Sequence, residues 1–151
     1  MPPVPEATIY FNDNTIARDF FSLCAGKLLG KGVAREVYRS NINADQVFKV
    51  ETTSCSFQNI LEWEAWDAVK STWYSKWFAP CISISPCGTI LLQQYAPDIE
   101  MKDLPPDVPA FFTDLKQENW GILNGQPVCR DYGRTLLMDR SLTRKTRKAE
   151  W

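Results

Sequence analysis

The sequence predicts an α+β fold: a small antiparallel sheet carrying one main helix, followed by a shorter loop-and-hairpin region. Three patterns predict it. Residues 45–51, DQVFKVE, alternate as a strand does, with Val47, Lys49 and Glu51 on one face and Phe48 and Val50 on the other. Residues 57–70, FQNILEWEAWDAVK, repeat at helical spacing. Glycine and proline punctuate 77–96 and 121–130 into short strands joined by turns.

In chain order, residues 1–8 carry three prolines and are expected to be loose, and 15–25 predicts a short helix. KLLGKGVAREVYRS (27–40) predicts a hairpin with a glycine turn at Gly30 and Gly32, followed by the strand at 45–51. The 57–70 helix takes Ser54 or Ser56 as its cap. One side of it carries Asn59, Glu62, Trp66, Val69 and Trp73. Glu62 thus lies on a mainly apolar stripe, as an edge carboxylate reaching water or as the partner of a buried cation; Glu64 faces solvent. CISIS and TILLQQY form the next hairpin around Pro-Cys-Gly, and 97–109 is too proline-broken for much helix. Short strands at 121–123 and 128–130 flank a turn at NGQP. The tail after Gly133 holds Arg134, Arg140, Arg144, Lys145, Arg147 and Lys148, a basic helix or a disordered arm.

Composition narrows the chemistry. The 151 residues are 44% hydrophobic and 23% charged, enough to fill one core, and the net charge of −1 shows no bias towards nucleic acid or acidic membranes. Five scattered cysteines without a C-x-x-C pair fit a reducing cytoplasm rather than a disulfide or zinc scaffold. The first residues carry no secretory-signal pattern, and no apolar run is long enough to span a bilayer. Histidine is absent, which excludes imidazole-based triads, dyads and zinc sites. Catalysis then falls to carboxylates, Lys, Arg, Tyr, Cys or an oxygen-held metal. Asp114, Asn119 and Asp131 in TDLKQENWGILNGQPVCRDYG (113–133) suit a magnesium–phosphate site and equally an ordinary polar hairpin.

Each of these pieces is common alone, but their order and spacing are not. LGKGVAREVY (29–38), VFKVE (47–51), Asp114 five residues before Asn119, and Asp131-Tyr132-Gly133 follow one another as the glycine-rich loop, strand lysine, catalytic-loop pair and D-F-G of protein kinases do. From about Leu28 to Gly133 the chain resembles the protein-kinase-like superfamily, and in wording the small kinase-like proteins of bacteriophages. The resemblance implies an N-lobe over about 15–96, a strongly reduced C-lobe over about 97–133, and a basic tail or helix over 134–151. It implies an ATP and Mg²⁺ site. Gly30 and Gly32 would cover the phosphates, and Lys49 would bridge them, held by Glu62 in preference to Glu64. Gln93, Gln94 and Tyr95 would meet the adenine through their backbone. Asn119 and Asp131 would ligate the metal, Asp114 would receive the proton of an incoming hydroxyl, and Lys116 would neutralise the transferred phosphoryl group.

The chain also departs from the pattern. Arg35 stands where the third glycine belongs, as an obstruction or as a further phosphate contact. Phe112 and Thr113 replace the His-Arg before the catalytic Asp. About seventeen residues join Tyr95 to Phe112, and eighteen follow Gly133, so most of a substrate platform is missing. The lower half must rest on the tail, a second copy of the chain, or a partner, and a homodimer is expected. Two functions compete: a minimal ATP-dependent kinase acting on a host protein or on itself, and a kinase-like binding protein that inhibits or recruits a partner without turnover. The basic cluster at the tail's end is expected to be a solvated or partner-docking arm rather than a nucleic-acid site.

Overall fold

The computed structural model describes residues 13–53, 56–133 and 145–151. The expectations for residues 1–8, for Ser54 as a cap, and for Arg134, Arg140 and Arg144 lie outside the described residues.

The fold is α+β. Helix α1 (Asp13–Cys24) leads into strands β1 (Ala25–Lys31), β2 (Arg35–Ser40) and β3 (Gln46–Glu51), then helix α2 (Gln58–Val69). Strands β4 (Cys81–Ile84) and β5 (Ile90–Gln94) complete a five-stranded antiparallel sheet of order β1-β2-β3-β5-β4. Below it lie β6 (Asp107–Pro109), β7 (Trp120–Leu123), β8 (Gln126–Cys129) and β9 (Thr146–Lys148), paired as β6–β9 and β7–β8. Among the described residues no helix is long and apolar enough to cross a membrane.

The alternation of β3 is realised in the sheet. Lys49 sits opposite Val37 on β2 and Leu91 on β5, so its side chain leaves the central strand towards the buried face. Helix α2 covers that face with Asn59, Glu62, Ala65 and Val69. The sequence stripe holds as far as Val69; Trp73 falls in a 3₁₀ turn beyond the helix and is exposed. Ser56 does not cap α2. Phe57 at the N-cap is left-handed, with φ of 54°, and the Glu51 carboxylate accepts the N–H of Asn59 at 2.8 Å instead. A strand-end carboxylate thereby satisfies an orphan donor and complements the helix dipole.

The same core runs on from Ala65, Val69 and Leu91 into an aromatic cluster. Phe78, Phe112 and Trp120 are almost wholly buried, with ring centroids 5.1 Å apart in both the Phe78–Phe112 and Phe112–Trp120 pairs. The chain's last residues close it. Residues 146–148 are neither helix nor loose arm: they form β9, antiparallel to β6. Trp151 meets Trp120 edge to face at 5.3 Å, and its indole N–H donates to the Pro105 carbonyl at 3.0 Å. Arg147 donates to the Phe112 carbonyl at 2.6 Å, two residues before Asp114. Within one chain, then, the tail supports the loop that carries Asp114. Gly121 lies where β7 crosses the 96–97 backbone: a Cβ there would stand 2.7 Å from the Pro97 carbonyl oxygen.

Candidate functional site

The two halves face one another across an open cleft of about 550 Å³, well within the range of small-molecule sites. Gly30, Gly32, Lys49, Gln94 and Tyr95 line it from the sheet side, and Asp114, Lys116, Asn119 and Asp131 from the opposite side. Of the eleven residues given roles in the site from the sequence, only Glu62 lies off the wall, behind Lys49.

Gly30 and Gly32 are unexplained by the fold itself. Neither has positive φ, a Cβ at Gly30 would meet nothing within 4 Å, and one at Gly32 would make only ordinary contact. What their missing side chains provide is open space on the cleft wall. Lys49 is buried, and its ammonium pairs with Glu62 Oε1 and donates to the Arg130 carbonyl. An ammonium has three protons, so one is left for a ligand. Glu62 is fully buried, which selects it over exposed Glu64 as the partner of Lys49. Gln93, expected at the adenine contact, lines the cleft but is almost fully buried, and its side-chain amide donates to Glu62 Oε1 at 3.0 Å.

Gln94 and Tyr95 reach the cleft, yet their backbone N–H groups point elsewhere. Gln94 N–H donates to the Pro80 carbonyl at 2.8 Å and Tyr95 N–H to that of Asp45 at 2.7 Å. The expected backbone recognition of a base through these two donors is therefore not available. The wall beside them is apolar, built by Leu29, Val37 and Val47.

On the opposite side, Asn119 braces Asp114: its side-chain nitrogen donates to the Asp114 carbonyl at 3.1 Å and to Oδ2 at 3.2 Å. Lys116 lies 3.4 Å from Asp114 Oδ1. The Asn119 carbonyl accepts the N–H of Arg130 at 2.8 Å, which ties the Asp114 loop to the segment carrying Asp131. Tyr132 is buried, its hydroxyl donating to the Ala79 carbonyl at 2.7 Å and touching Cys81 Sγ at 3.0 Å. Burial, reinforced by the negative charge of Glu62, pushes the Cys81 thiol up to about 12, so it stays neutral.

Arg35 is the residue whose place the sequence left open. It is 6% exposed. Its guanidinium lies 2.7 Å from Glu62 Oε2, donates at 2.7 Å to Asp131 Oδ1, and donates at 3.1 Å to Asn59 Oδ1. Burial alone would lower its pKa; Glu62 and then Asp131 outweigh that and raise it, so the group stays charged. Asn59 is turned towards it by three bonds from its own amide nitrogen, to the carbonyls of Lys49, Gly88 and Thr89. A β-strand arginine beside a turn carries no sequence signal for this. The available hint was polar Asn59, three residues before Glu62 on a buried stripe.

Asn119 and Asp131 offer oxygen ligands of the kind Mg²⁺ accepts. Among the described residues no group of three or more Asp, Glu, Cys or His stands together as a metal site. A divalent cation here would rest on these two side chains and on the oxygens of its own ligand. Compared with known proteins, the chain matches no family model and no curated protein.

Proposed function

We propose that the protein is a minimal kinase-like phosphotransferase: a nucleotide-binding sheet-and-helix lobe over a strongly reduced lower lobe. It would move the γ-phosphoryl group of ATP to a hydroxyl on a protein partner or on a second copy of itself. The observation that carries this reading is the convergence of Lys49, paired with buried Glu62, and of Asp114, Asn119 and Asp131 on opposite walls of one cleft. The vacant wall at Gly30 and Gly32 supports it.

In this reading the triphosphate lies beneath the β1–β2 hairpin with Lys49 on its phosphates. Asp114, braced by Asn119, orients the acceptor hydroxyl. The acceptor oxygen bonds to the γ-phosphorus while the bond from that phosphorus to the bridging oxygen breaks. The electron pair of that bond leaves with ADP, and the hydroxyl proton passes to the Asp114 carboxylate. Lys116 offsets charge on the moving phosphoryl group. Mg²⁺, held by Asn119 and Asp131, would supply further charge neutralisation when bound.

One observation favours a second reading, a nucleotide- or partner-binding protein without turnover. Asp131 is already ion-paired to Arg35, which competes with its use as a metal ligand. Incubation with γ-labelled ATP and Mg²⁺ separates the two readings. Transfer onto the protein or an added acceptor is expected in wild type, and is lost in Asp114→Asn while that variant keeps its ATP-induced thermal shift. A ligand at one hundred times its Kd stabilises by about 2.7 kcal/mol, a shift of several degrees for this chain length. Equal labelling of wild type and Asp114→Asn removes Asp114 from the chemistry; a thermal shift without labelling selects the non-catalytic reading.

A further inference from the structure

Three aspartates line the cleft, and each is ion-paired within the chain. Asp131 Oδ1 is 2.7 Å from Arg35 Nη2, Asp114 Oδ1 is 3.4 Å from Lys116 Nζ, and Asp98 Oδ1 is 2.7 Å from Arg130 Nη2. Glu62, behind the wall, carries both Lys49 and Arg35. In a kinase-like site a divalent metal stands between the carboxylates and the phosphates, bridging the two and offsetting the charge of both. Here internal cations already offset the three aspartates.

We infer that nucleotide binding at this site does not require a divalent metal, because Arg35 is the resident cation at Asp131. The inference rests on the nucleotide-site reading above and concerns binding, not transfer. Arg35 is built in rather than resting there. It leaves β2 at the mouth of the β1–β2 hairpin, is buried, and meets a carboxylate of α2, a carboxylate of the 130–133 segment and the amide oxygen of Asn59, whose side-chain nitrogen is held by the carbonyls of Lys49, Gly88 and Thr89. A planar guanidinium suits such a three-way socket in a way a lysine does not. Of the four carboxylates that line the cleft, Asp98, Asp114 and Asp131 each carry a cation, and exposed Glu118 does not. The consequence is a site that accepts a triphosphate, or a diphosphate, in the absence of magnesium.

The test is the affinity of a fluorescent ATP analogue for the full chain, by polarisation, in millimolar Mg²⁺ and in EDTA. Wild type is expected to bind in both, with dissociation constants within about threefold, since Arg35, Lys116 and Arg130 already offset three of the cleft's carboxylates. Asp131→Asn, which removes the anion and keeps Arg35, is expected to bind in EDTA at least as tightly as wild type. Arg35→Gln is expected to lose about thirtyfold or more in EDTA and to recover in Mg²⁺, as the freed carboxylate takes the metal. A wild-type affinity that collapses in EDTA overturns the inference while leaving the nucleotide site in place. Loss of metal-free binding in Asp131→Asn overturns it too. Absence of binding in both buffers overturns the inference and the nucleotide-site reading together. The wild-type comparison needs no variant, so a misfolded Arg35→Gln does not blunt it.

Discussion

Lys49 and Asp114 face the same cleft but are held in opposite ways. Lys49, with Arg35 and Glu62, belongs to a buried ionic knot in which no side chain is more than 6% exposed. Strand, helix and the 130–131 backbone all contribute to it. Asp114 and Lys116 are 44% and 59% exposed at their side chains, and their one pairing is a loose surface contact braced by Asn119. The upper wall is thus part of what keeps the chain folded, whereas the lower wall projects from it. Substitutions in the first region will register as stability before they register as function, and those in the second the other way round.

The largest expected effect tests that contrast directly. Glu62→Ala leaves two buried cations without their shared carboxylate, and breaking one partner of a buried ionic set costs about 3–5 kcal/mol. Asp114→Asn is a surface change and should stay within about 0.5 kcal/mol of wild type. Urea unfolding of both variants measures the difference. Equal midpoints would mean that the knot contributes no more to stability than an exposed pair does.

A smaller effect separates two glycines by the same logic. Gly121→Ala pushes a methyl against the Ala96 and Pro97 backbone carbonyls, at 2.8 and 2.7 Å, where nothing flexible can yield. Overpacking of that kind costs about 1–3 kcal/mol. Gly30→Ala adds a methyl to open space on the cleft wall, so stability should move by less than about 0.5 kcal/mol. Nucleotide affinity should nonetheless fall, because the space it fills is the ligand's. A Gly30→Ala variant that binds ATP as wild type does would separate the hairpin from the phosphates.

The same contrast governs what the sequence disclosed. Period-two alternation placed Lys49 on one face with Val47, and helical spacing placed Glu62 on one stripe with Asn59 and Val69, because both are local repeats; that the two faces meet was not in either pattern. The β1–β2, β2–β3 and β4–β5 pairs are also local, whereas the β3–β5 pairing that joins them links Gln46–Val50 to Ile90–Gln94 across α2. Long-range pairing carries no such periodicity. The β6–β9 pair joins residues about forty positions apart through three-residue strands, and TRK gives no strand signal of its own. Arg35 was legible as an anomaly in a glycine pattern, but not its destination, because Glu62 and Asp131 lie far along the chain. The inward turn of the Gln94 and Tyr95 N–H groups was equally hidden, since it depends on where Pro80 and Asp45 fall in space.

That inward turn sets the smallest expected effect, on choice of base. A site discriminates strongly between bases when its buried donors and acceptors are satisfied by one and stranded by the other. Gln94 and Tyr95 have already spent their N–H groups on carbonyls of the chain, and Leu29, Val37 and Val47 offer only apolar surface. A purine ring against such a wall gains contact area whichever edge it presents. ATP and GTP should therefore bind within about fivefold of each other, roughly 1 kcal/mol, when measured in competition with one fluorescent analogue. The lower wall makes no difference to this number, because Asp114 and Lys116 belong to the phosphate end of the proposed pose. A preference for ATP above about fiftyfold would mean that another polar group of this wall, such as the Gln94 side-chain amide, reads the base.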